Sequence, residues 1–177
     1  MPRHPRHREA RTFVLARAVT YAVLFIGGVL VFLPAQVLRW SGITRPPATG
    51  APQVVALIVG AAGAALALWC VVAFALVGRG TPAPFDPPRR LVVRGPYRVV
   101  RNPMYLGARL ALAAAALYYE SLALLAFAAA FCLATHLFVV GYEEPALRRS
   151  FGADYGAYCR AVRRWWPGSP ARRAPPA

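Results

Sequence analysis

The stretch Arg94–Tyr119, "RGPYRVVRNPMYLGARLALAAAALYY", changes character at Asn102-Pro103. Before that point arginines alternate with prolines, tyrosines and valines. Beyond it the chain is apolar and alanine-rich, with Arg109 as the one charge. A connecting loop needs turn residues and some charge, but it does not need aromatics interleaved with arginine. Asn102 has the character of a helix N-cap, and Pro103 suits the first helical turn, where its missing N–H costs nothing. The spacing therefore predicts a short apolar helix over about 105–119, entered from a basic, aromatic segment.

Three longer apolar runs surround this helix. A helix needs about 20 apolar residues to cross a hydrocarbon layer of about 30 Å. Thr12–Leu33, Val54–Val77 and Leu122–Tyr142 meet that length; Arg17 lies near the start of the first and His136 lies inside the third. The short segment is predicted to turn at "YYES" and form a hairpin with the last run. Its alanines would let another helix approach closely. The expected fold is all-α: about four transmembrane helices with a helical cap on the cytoplasmic side after the last. Residues 1–11 read as a basic tail and 12–78 as two spans. Residues 79–167 form a core containing the hairpin, and 168–177 a second flexible basic tail.

Composition supports a membrane setting. Of 177 residues 58% are hydrophobic, and 21 basic residues face only six acids. Every basic residue is arginine. The resulting +15 charge calls for an anionic partner, and long uncharged runs between the arginines favour a lipid surface over nucleic acid. The tails carry charge but no base-reading motif, so nucleic acid is not among the expected partners. Arginines crowd the N-terminus, the second loop and the region after the last span. The first loop has only Arg39 and Arg45, and the third has none. The positive-inside rule then places both termini and the second loop in the cytoplasm of a multi-pass protein. A chain this rich in alanine and lacking lysine suggests a bacterial inner membrane. Cys70, Cys132 and Cys159 show neither metal spacing nor a disulfide framework, so no metal is expected.

A hairpin returns the chain to its starting side, so the segments flanking it should meet. Glu143 and Glu144 stand at the mouth of the last span, and His136 lies two turns deeper on the same face as Glu143. The acids suit an amine or sulfonium, and the arginines a carboxylate. Other roles compete. Arg148, Arg149, Arg163 and Arg164 suit lipid headgroups, Trp165 and Trp166 suit an interfacial aromatic belt, and His136 suits packing. Arg109 differs from these, because a charge inside a span is costly and usually functional.

"GPYRVVRNPMYLG" followed by "EEPALRRSFGADYGAYCRAVRRWWP" resembles the isoprenylcysteine carboxyl methyltransferase family, which is related to the phospholipid methyltransferases. The resemblance covers about Thr81–Pro167. It implies an integral membrane enzyme that transfers a methyl group from S-adenosylmethionine to a lipophilic or small acceptor, a carboxylate, amine or thiol. By the same resemblance the cofactor is contacted by Arg89, Arg90, Leu91, Val92 and Tyr97. It is also contacted by Asn102, Pro103, Met104 and Tyr105, and by Glu143 with Glu144 beside it. Arg101, Glu143 and, for proton removal, His136 are the catalytic candidates. The segment "LRRSFGADYGAY" would close the pocket.

Two positions depart from the family pattern. Most members have histidine at Asn102, and an asparagine cannot take up a proton near neutral pH. The prenylcysteine enzymes have an arginine where this chain has Val139, which argues against a prenylcysteine carboxylate as acceptor. A non-catalytic scaffold or sensor for anionic lipid, and a membrane reductase of related architecture, are the alternative readings.

Overall fold

A computed structural model describes residues 20, 26–43, 48–73 and 91–168. Among the described residues the structure is helical, with no strand. A π-helical stretch, Ile26–Phe32, runs into α1 (Leu33–Trp40), and α2 follows at Ala51–Ala73. A 3-10 turn at Gly95–Arg98 leads to α3 (Pro103–Tyr118), which is paired with α4 (Leu122–Phe138). A π-helical segment, Val139–Glu143, joins α4 to α5 (Glu144–Ala161), so the helix continues from the hairpin into the cap.

Pro103 begins α3, as the sequence predicts, and Asn102 occupies the N-cap position. Its side chain does not cap the helix, however; it turns to the far flank described below. The hairpin turns where expected. Ser121 Oγ accepts the Leu124 N–H at 3.2 Å and so caps α4. Glu120 takes the left-handed conformation, φ 49°, and its carboxylate accepts from Gln53 Nε2 at 2.9 Å. That bond ties the turn to the start of α2.

The close helix approach that the alanines suggest is made chiefly against α2. Gly63 and Gly107 face each other where α2 and α3 cross. A Cβ on Gly63 would meet the Gly107 carbonyl oxygen at 2.8 Å, and a Cβ on Gly107 would meet the Gly63 carbonyl oxygen at the same distance. The backbones touch because neither residue has a side chain, the packing mode that replaces hydrophobic association inside lipid. On its other face α3 buries Ala108 and Leu112 against Ala128 and Phe131 of α4, with Val29 and Leu30 packed alongside.

Two described helices, Ala51–Ala73 and the continuous run Leu122–Ala161, are long and apolar enough to cross a membrane. In the most apolar window of the first, only 17% is buried. Val54, Leu57, Ile58, Leu68, Leu133 and Leu137 are all largely exposed. A core helix of a soluble protein would hide such side chains, whereas a lipid-facing helix displays them. Most of the expected first span and the basic tails lie outside the described residues, as do the end of the second span and most of the second loop. The 16-residue α3 is shorter than a full crossing and lies against α2 and α4.

Beyond Tyr142 the helix leaves its apolar run and bends. Gly152 sits at φ 49°, ψ −120° inside α5, a conformation open to glycine and strained for any residue with a Cβ. The bend carries Tyr155, Tyr158 and Cys159 to the base of the hairpin, where Tyr155, Tyr158 and Val162 pack with Leu91, Leu147 and Phe151.

Candidate functional site

The two flanks of the hairpin meet at its arginine-bearing end. Tyr158 Oη donates to the Tyr97 carbonyl at 2.7 Å, and the Arg101 N–H donates to the Arg163 carbonyl at 2.9 Å. Asn102 Nδ2 donates to the Arg164 carbonyl at 3.4 Å. These three contacts span about 60 residues of sequence and join the segment before α3 to the last turns of α5 and the segment after it. Local packing pins the first flank. Val92 and Tyr97 are buried with Cys70 and Ala73 of α2, where Met104 also packs, and Leu91 packs on the far side against Tyr155 and Tyr158. Leu91, Val92, Tyr97, Asn102, Pro103, Met104 and Tyr105 are thus gathered at one place, whereas Arg89 and Arg90 lie outside the described residues.

At the centre of the junction is Glu144, 6% exposed. Arg164 donates to it from Nε at 2.7 Å and from Nη2 at 2.9 Å, a bidentate fork, and Arg101 Nη1 stands 3.2 Å from the same carboxylate. Burial alone would push this acid up. The Arg164 hydrogen bonds and the charges of Arg101, Arg164 and Arg148 outweigh burial and hold it below the usual carboxylate range. Arg101 also touches Cys159 Sγ through Nη1, while its buried Nε has no partner among the described residues.

Glu143 has a different environment. It is half-buried, and its Oε2 accepts from Tyr105 Oη at 3.1 Å. Burial pushes this acid up, the Tyr105 hydrogen bond opposes the rise, and the charge of Glu144 adds to it. Two adjacent carboxylates are thereby driven in opposite directions, the pattern that assigns different tasks to two acids. Glu144 is committed to arginines. Among the described residues Glu143 Oε1 has no partner.

Deeper along the α3–α4 seam, Trp165 Nε1 donates to His136 Nδ1 at 3.1 Å. An indole only donates, so His136 must accept there and carry its hydrogen on Nε2. Its Nδ1 lone pair is engaged by the indole. The Trp165 ring also lies over the Arg109 guanidinium, 3.6 Å from its carbon to the ring centroid. The sequence suggests headgroup contact for Arg164 and an interfacial belt for Trp165; the structure turns both inward, onto Glu144 and onto His136 with Arg109. Trp166, 74% exposed, remains at the surface.

Sequence reasoning misses Arg164, Trp165 and Cys159 as members of this junction, whereas Tyr158 ends the segment expected to close the pocket. Residues 162–168 form no helix, and Val162 is extended at φ −127°, ψ 129°. No periodicity marks where such a segment folds back. The run "RRWWP" closing an amphipathic helix is the only signal, and it also fits a membrane interface.

The chain matches no curated protein and no solved structure. A family model described as phospholipid methyltransferase matches residues 52–154, more than half the chain, from the start of α2 through the hairpin and both acids into α5. With two membrane-length helices and both flanks of the hairpin joined at one end, the chain belongs to the phospholipid methyltransferase family of membrane methyltransferases.

Proposed function

We propose that this protein transfers the methyl group of S-adenosylmethionine to a lipophilic or small acceptor that reaches the junction from the bilayer. The observation that carries the reading is the closure of both hairpin flanks around Glu144, which leaves Glu143, Arg101 and the start of α3 side by side.

The residues present fit such a donor. A helix start leaves its first amide donors without intrahelical partners, here those of Met104 and Tyr105, Pro103 having none. They favour a negatively charged or carbonyl-like group. The orphaned Arg101 Nε is a further buried donor beside them, suited to a carboxylate. Glu143 offers its spare oxygen to an ammonium or to ribose hydroxyls, and Tyr105 fixes its rotamer. The donor, when bound, supplies an electrophilic methyl on a positively charged sulfur. That charge fades in the transition state, so an acid close to it would favour the ground state. Glu143 is therefore assigned to the amino-acid or ribose end, and the Arg101–Glu144–Arg164 clamp holds the two flanks in place. The remaining work is positioning and exclusion of water. His136, reached by Trp165, lines the wall; for an amine or thiol acceptor, it or a water would take the proton.

On the same reading, the arginine-bearing end with both termini faces the cytoplasm of a bacterial inner membrane, and the full chain crosses the bilayer four times. The test is incubation of purified protein with methyl-labelled S-adenosylmethionine and lipid extracted from native membranes. Label in an extractable lipid or small product is expected. Absence of transfer together with absence of donor binding would leave a non-catalytic membrane protein.

A further inference from the structure

Arg109 is a charge that the reading above does not use. It lies on α3 six residues beyond Pro103, about 9 Å along the axis at 1.5 Å per residue. It shares a helix face with Tyr105, one turn nearer the flanks. Its guanidinium turns inward to α4: Nη2 donates to Thr135 Oγ1 at 2.8 Å and to the Cys132 carbonyl at 3.2 Å. Thr135 can accept because its own hydroxyl donates back to the Phe131 carbonyl at 2.8 Å. Trp165 covers one face of the guanidinium. Nε is buried and has no partner among the described residues.

No acid answers this charge among the described residues. Glu144 is held by Arg101 and Arg164, Glu143 by Tyr105, Glu120 by Gln53 at the opposite end of the hairpin, and Asp154 is exposed on α5. An uncompensated guanidinium between two apolar helices is costly and persists where it meets a ligand. An arginine serving only as a surface anchor would extend toward the headgroups. This one is held within the seam by two acceptors on α4 and the ring of Trp165, so its fork is set before any ligand arrives.

We propose that Arg109, held by Thr135, the Cys132 carbonyl and Trp165, binds the oxyanion of an amphiphilic methyl acceptor. The acceptor is then a single- or double-chain amphiphile bearing a phosphate or a carboxylate. Its anionic group sits in the α3–α4 seam, one turn deeper than the Tyr105–Glu143 pair. This assignment rests on the methyltransferase reading for the word acceptor; the oxyanion site itself does not.

The experiment is titration of the purified full chain, in a non-ionic maltoside detergent, with dodecyl phosphate, dodecanoate and neutral dodecanol, alongside S-adenosylmethionine. The wild type is expected to bind at least one of the anions ten-fold or more tighter than dodecanol. Preference for the phosphate points to a phospholipid source, and preference for the carboxylate to a lipophilic acid. Arg109→Gln should lose the preference, and Arg109→Lys, which keeps charge without the fork, should retain part of it. Both should bind S-adenosylmethionine within two-fold of the wild type. An exposed-arginine double variant, Arg149→Gln with Arg160→Gln, should keep the preference. Equal wild-type affinity for anion and alcohol would overturn the proposal whatever the variants do. So would loss of preference in the Arg149/Arg160 variant, or its survival in a folded Arg109→Gln protein. If the wild type fails to bind S-adenosylmethionine yet shows the anion preference, the methyltransferase reading fails and the oxyanion site stands.

Discussion

Arg164 reaches Glu144 from beyond the end of α5 and donates through two nitrogens, while Arg101 reaches the same oxygen from before α3. A buried carboxylate held this way stabilises the fold only while both arginines are present, because removing one leaves part of the charge unanswered. Arg164→Ala should therefore lower unfolding free energy by about 2 kcal/mol, the scale of a hydrogen bond to a charged group. Denaturant titration in detergent measures it. The pH dependence follows from the same carboxylate. Its folded pKa lies below the ordinary value of 4.5. Its contribution is thus complete above about pH 4.5 and is lost as pH falls through the depressed folded value. Glu144→Gln should remove that acid-limb loss from a stability–pH profile while lowering stability at neutral pH. Glu143 carries the opposite shift and no arginine. Tyr105→Phe, which removes only the hydroxyl that orients it, should leave the unfolding midpoint nearly unchanged and weaken donor binding several-fold by calorimetry.

The crossing of α2 and α3 stands on two glycines in contact, and a side chain at either has no space to enter. Gly107→Val should destabilise by more than about 2 kcal/mol, as overpacking of a tight interface does. It should also reduce donor binding, since α3 carries Tyr105 and follows directly on Asn102. Thermal unfolding in detergent alongside calorimetry reads both effects. Gly152→Ala acts on another element: a Cβ at φ 49°, ψ −120° costs about 1–3 kcal/mol. Helices α2, α3, α4 and the α5 cap were legible in the sequence, whereas α1 begins at the end of the expected first span and runs past it. Pro103 marks the α3 start, "YYES" marks the turn, and the apolar runs mark α2 and α4. The identity of the neighbour was less so. The alanines of α3 say that some helix comes close, but the matching Gly63 lies among several small residues of α2 that look alike in sequence. The folding back of Arg164 and Trp165 was not legible at all. It depends on a bend at one glycine and an extended turn, and neither leaves a periodic trace. Adjacent glutamates likewise look equivalent until the arginine that reaches one of them is placed.

At the scale of the molecule, an exposed apolar girdle on α2 and α4 fixes the protein in lipid, and a hydrogen-bonded junction closes one end of the hairpin. The membrane setting was readable from run lengths and arginine distribution, because both follow from the cost of burying charge in hydrocarbon. The membership of the junction arises from long-range contacts; its first flank, its acids and the closing helix could be read from motifs, and the segment after that helix could not. In the proposed site the joined flanks hold one methyl donor through Glu143. Titration calorimetry of S-adenosylmethionine into the purified chain and its Glu143→Gln variant decides the point. One saturable site is expected in the wild type, with at least ten-fold weaker binding in a variant of unchanged thermal stability. No binding by the wild type, or equal binding by the two proteins, would refute it.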